Sequence, residues 1–93
     1  MRVAETYPAL AAELAAVLTA EDKPELARQV GTLVIKAWCR CGDDFCQTFQ
    51  TVRPPWPTDA GTLSYDTPSG MLNVDVADDR ILGVEVLFYP PLS

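Results

Sequence analysis

The chain has no histidine among its 93 residues. That removes the commonest general base near neutral pH and the nitrogen ligand of mixed cysteine–histidine zinc sites, so imidazole-based catalysis and that metal chemistry are both excluded. Bases are scarce too: 7 Lys and Arg stand against 13 Asp and Glu, a formal net charge of −6. A phosphate backbone would be repelled, so nucleic acid is not an expected partner. No apolar run approaches the ~20 residues that a membrane span needs. The stretch PALAAELAAVLTA, residues 8–20, is broken by Glu13 and preceded by a barely basic start, which reads as a helix rather than a secretory leader. Cysteine is limited to three residues, an odd number that fits a reducing, cytoplasmic setting.

The charge is unevenly placed. Residues 1–42 carry five acids (Glu5, Glu13, Glu21, Asp22, Glu25) and five bases, which cancel. Residues 43–93 carry the other eight acids, Asp43, Asp44, Asp59, Asp66, Asp75, Asp78, Asp79 and Glu85, against Arg53 and Arg80. Any partner of this half should be basic, although moderate negative charge on a small protein also serves solubility alone.

One α+β domain over residues 1–93 is expected, with two N-terminal helices on one face of a five-stranded antiparallel meander. Tyr7, Leu10, Leu14, Val17 and Leu18 recur at helical spacing, with Thr6 as N-cap and Pro8 in the first turn. A second helix follows from DKPELARQVG: Asp22 as N-cap, Glu25 as its capping-box partner, Gly31 as the stop, and Leu26 and Val30 buried. From Thr32 the period becomes two. Leu33, Ile35, Ala37, Cys39 and Cys41 fall on one face of a strand, and Val34, Lys36, Trp38 and Arg40 on the other. GDDF makes the turn, CQTFQTV returns, and the proline-rich RPPWPTDAG forms a loop around Trp56. TLSYD, GMLNVDVA and RILGVEVLFY supply three more strands.

A three-residue turn at Asp78–Arg80 aligns Leu72, Val74 and Val76 with Leu82, Val84, Val86 and Phe88, and gathers Asn73, Asp75 and Glu85 on the opposite face. A two-residue turn would pair Val76 with Ile81 and mix the faces, so the longer turn is expected, with Asp79 or Arg80 in the left-handed region. YDTPSGMLNVDVADDRILGVEVLFY, residues 65–89, resembles small bacterial domains of unknown function in which a Tyr-Asp turn precedes a hairpin ending in a Gly-Ile-Glu-Ile-Leu type strand. Tyr65, Asp66, Leu72, Ile81, Gly83, Val84, Glu85, Val86 and Leu87 carry the likeness. WCRCGDDFC is similar to a segment of uncharacterised small bacterial proteins. Neither resemblance implies an active site.

Across the four-residue turn Cys41 should oppose Cys46, with Cys39 on the same face, so three sulfurs converge. Buried free thiols extending the Leu33–Ile35–Ala37 stripe are the expected state. The alternatives are a redox pair, or zinc held by the three cysteines with Asp43, Asp44, a water or a second chain as fourth ligand. A cysteine nucleophile lacks a neighbouring base, since Arg40 points the other way, and an enzyme is not expected. On the other face Trp38 should stand opposite Phe49, flanked by Lys36 and Arg40. Either the loop folds back with Trp56 to cover this pair, or the pair is an exposed contact patch.

The resulting expectation is a cytoplasmic protein-interaction or regulatory module, working as small acidic immunity or antitoxin proteins do. Its interaction residues would be Trp38, Phe49, Trp56, Asp43, Asp44, Asp78 and Asp79, and its partner a basic protein, with a homodimer as a further candidate. The alternative function is a small zinc-binding protein using Cys39, Cys41 and Cys46.

Overall fold

The computed structural model describes residues 1–38 and 47–90. Three helices come first: α1 (Val3–Thr6), α2 (Pro8–Ala20) and α3 (Pro24–Gln29), which runs into a 3-10 turn at Val30–Thr32. No helix among the described residues is long and apolar enough to cross a membrane. The expected long helix is α2, with Pro8 in its first turn and Leu10, Ala11, Leu14 and Leu18 buried at the spacing of one face. Thr6 ends α1 rather than capping α2, whose N-cap is Tyr7 with no side-chain bond.

Asp22 also plays a role different from the expected N-cap. It adopts φ 59° at the end of α2, where its N–H donates to the Thr19 carbonyl and the Lys23 N–H donates to the Leu18 carbonyl. This pair of bonds closes a helix C-terminus around a left-handed residue, a place usually taken by glycine and tolerated by aspartate. Lys23 then becomes the N-cap of α3, and Glu25 pairs with Arg28 instead of forming a capping box.

The sheet has five antiparallel strands: β1 (Ala37–Trp38), β2 (Phe49–Gln50), β3 (Gly61–Asp66), β4 (Met71–Ala77) and β5 (Arg80–Leu87). Their order is β1-β2-β5-β4-β3, so the sheet is not a meander. β2 pairs with β5 through Phe49↔Val84 and Gln50↔Gly83, and the loop of residues 51–60 carries the chain across to the far edge. The physical reason lies in β5, where Ile81, Leu82, Gly83 and Val84 are all buried. A strand apolar on both sides belongs in the middle of a sheet, not at the edge where a meander would leave it.

The hairpin at Asp78 and Asp79 corrects the expected turn. Val76 pairs with Ile81 and Ala77 with Arg80, which makes it a two-residue turn, yet Val74 pairs with Val84, Asn73 with Glu85 and Leu72 with Val86. A bulge reconciles the two, because the register shifts between Asp75 and Val76 and leaves Leu82 as the extra residue. The faces therefore segregate as expected, by means of a bulge instead of a longer turn. Both turn residues are left-handed, Asp78 at φ 50° and Asp79 at φ 58°, as a tight hairpin turn of the favoured twist requires. Asp79→Gly should raise stability by about 0.5–1 kcal/mol, visible as a higher urea midpoint, because glycine adopts this conformation without a steric cost.

The core lies between the helices and one sheet face, where Leu10, Leu14, Leu18 and Leu26 meet Phe49, Leu72, Val74, Ile81, Val84 and Val86. Leu33 and Ile35 join it as expected, but the expected continuous strand is divided. The Leu33 carbonyl accepts the Val3 N–H and the Ile35 N–H donates to the Met1 carbonyl, so this segment lies against the N-terminus. Pairing with β2 begins only where the Lys36 N–H donates to the Gln50 carbonyl. At the other end, Phe88 does not reach the core. It is left-handed at φ 63° and 80% exposed, and Tyr89 packs against the core in its place.

Candidate functional site

Trp38 does stand opposite Phe49, but the pair faces the helices. Phe49 is 0% exposed and Trp38 38% exposed. Trp38 is wedged edge-on between Phe49, at 5.6 Å between ring centroids, and Tyr7, at 5.8 Å. Because Phe49 shares its sheet position with Val84, whose side chain is in the helix-covered core, Phe49 is a core residue and only Trp38 offers surface.

Trp56 covers the opposite face. Its Nε1 donates to the Val52 carbonyl at 2.8 Å, and its ring lies 3.2 Å from where a Cβ on Gly83 would stand. Gly83 pairs with Gln50 and Asp75, the side away from the helices. The proline-rich loop thus folds back, as one of the two expected arrangements had it, but over Gly83 rather than over the Trp38–Phe49 pair. The rest of that face carries Asn73, which donates to the Glu85 carboxylate at 3.4 Å, and Asp75, which accepts the Thr62 hydroxyl at 2.7 Å.

Asp43, Asp44, Cys39, Cys41 and Cys46 lie outside the described residues, and so does the expected pairing of Cys41 with Cys46. Among the described residues no group of three or more carboxylates and thiols is placed to hold a metal ion.

The feature missed from sequence is an assembly of acids around β3. Asp79, at the hairpin tip, meets Asp22 and Glu25 across a cleft of about 300 Å³ floored by Leu26, Leu63 and Val76. Lys23 is the one base lining it, while Arg28 is taken up by Glu25. Gln29 holds the arrangement together. Its Oε1 accepts the Ile81 N–H at 2.9 Å, and its Nε2 donates to the Asp79 carbonyl. Asp66 ends β3, Asp75 lies across from Thr62, and Asp59 stands just before the strand. On the other side of the same turn, Lys36 and Arg80 line a separate cleft of about 370 Å³.

Burial pushes the Tyr65 hydroxyl above its ordinary value, and the charge of Glu21 adds to the effect. Tyr89 is raised as well, first by burial, then with Thr67 hydrogen bonding opposing and Glu13 adding. The unfolded chain therefore releases these protons first, near the ordinary tyrosine value of about 10. Their contribution is fully present below that pH and is lost as pH rises through the raised folded values. Stability should fall along an alkaline limb beginning near pH 10, and a Tyr65→Phe, Tyr89→Phe variant should show a shallower limb in pH-dependent urea unfolding.

Comparison with known proteins finds no match: no family model, no curated protein and no solved structure resembles the chain at a significant level.

Proposed function

We propose that the protein is a small acidic interaction module of the cytoplasm that binds a basic protein partner, in the manner of immunity and antitoxin proteins that mask a cationic site. One observation carries this reading. Asp22 and Glu25, from the half of the sequence whose charges cancel, stand with Asp79 from the acidic half around one cleft. Charge concentrated in this way attracts a cationic surface, speeds encounter and repels acidic competitors. The apolar floor of Leu26, Leu63 and Val76 suits the aliphatic stem of a lysine or arginine whose head reaches the carboxylates.

The test is to capture partners from a lysate of the source cell and measure association rates at low and high ionic strength. Wild type is compared with a variant carrying Asp43, Asp44, Asp78 and Asp79 changed to Asn. The expected result is a rate that falls by about tenfold or more with added salt in wild type and much less in the variant. A rate equal in all four conditions would reduce the acids to solvated surface and leave Trp38 as the better contact residue.

A further inference from the structure

The sheet order leaves β3 as a bare edge. Its register with β4 is regular for its whole length, from Gly61↔Val76 to Asp66↔Met71, and no strand pairs with its other side. Edge strands are usually protected by a lysine, a proline, a bulge or a covering element. GTLSYD has no lysine or proline, and its pairing has no bulge. Thr62, Ser64 and Asp66 are exposed, and Leu63 and Tyr65 are half-buried. The backbone on that side is a row of donors and acceptors ready for another strand.

We infer that β3 is a docking edge, along which an extended, basic segment of the partner adds as a further strand of the sheet. The inference rests on the proposed function and names its mode of binding. Charge decides the occupant. Asp22, Glu25 and Asp79 rim the cleft beside Leu63 on the helix side, and Asp66 and Asp75 lie on the other face. A second copy would bring these same carboxylates against themselves. A strand with lysines meets acids on either face, and a lysine beside Leu63 enters the cleft.

The experiment leaves the protein unaltered and varies the probe. Isotope-labelled protein is titrated with a blocked peptide alternating valine with lysine, with the same peptide methylated at every backbone nitrogen, and with a valine–glutamate counterpart. Binding is followed by amide shifts and hydrogen exchange. The lysine peptide should bind saturably, shift the amides of residues 61–66 and slow exchange at alternate positions among them. Methylation should weaken binding by at least about tenfold, since losing one or two backbone hydrogen bonds is enough for that factor. The glutamate peptide should not bind.

Equal binding of the methylated peptide would overturn strand addition and leave the basic-partner reading standing. Equal binding of the glutamate peptide would overturn the charge argument and the proposed function with it. No saturable binding, or shifts centred on Trp38, would overturn β3 as the docking edge. Protection of residues 61–66 that grows with protein concentration in the absence of peptide would replace the basic segment with a second copy.

Discussion

Phe49→Ala is expected to cost about 3–5 kcal/mol in urea unfolding, the range for deleting a fully buried aromatic ring. The ring is 0% exposed, sits beside Val84 in the middle of the sheet, and supports the edge of Trp38 at 5.6 Å. Nothing close by is free to collapse into the space, since its neighbours belong to the regular β2–β5 pairing and to the leucines of α2. Trp38→Ala, at a site 38% exposed, should cost less, about 1–2 kcal/mol from lost ring contacts and partial burial. The opposite ranking would mean that the pair faces solvent through Phe49 and that the helices cover the other side.

Gly70→Ala is expected to cost about 1–3 kcal/mol through overpacking. A Cβ at Gly70 would run into the Leu87 carbonyl oxygen, and it would stand 2.8 Å from Tyr89 Cδ1 and 3.0 Å from the Phe88 carbonyl carbon. Two of these are backbone atoms, so no side chain can swing away to make room. The local network is also tight. The Thr67 N–H donates to the Gly70 carbonyl at 2.8 Å, the Thr67 and Tyr89 hydroxyls are 2.6 Å apart, and Ser69 donates to Glu13 of α2. Gly31→Ala is the control: a Cβ there meets nothing within 4 Å, and the change should be neutral or gain up to ~1 kcal/mol. Equal losses at the two glycines would contradict the close approach of β5 to the hairpin tip.

The elements that sequence reveals are those with a strong local period. The α2 face and the alternation in MLNVDV both follow from spacing alone, and so does the pairing of Trp38 with Phe49. What stayed hidden depends on partners distant in sequence. Two readings of the Asp78–Asp79 turn competed because face segregation was taken to require a longer turn, whereas one extra residue at Leu82 gives the same segregation. Asp22 has the chemistry of an N-cap and also tolerates the left-handed region, and the bond from Lys23 to Leu18 decides between them. The run ILGV did carry a sign of the strand order, since a strand apolar on both sides belongs inside a sheet. The acids around β3 left no such trace. Dividing the charge by sequence placed Asp22 and Glu25 in a neutral half, and only the docking of α3 beside the β4–β5 turn sets them with Asp79.

The central claim is that a basic partner is held at the acid-ringed edge of the sheet. Residue-resolved amide exchange, with and without the partner captured from the source cell, tests it most directly. Binding should slow exchange at alternate amides of residues 61–66, while amides inside α2 and β5, already bonded within the protein, change little. Slowing confined to Trp38 and the residues of β2, with 61–66 exchanging as in the free protein, would contradict it.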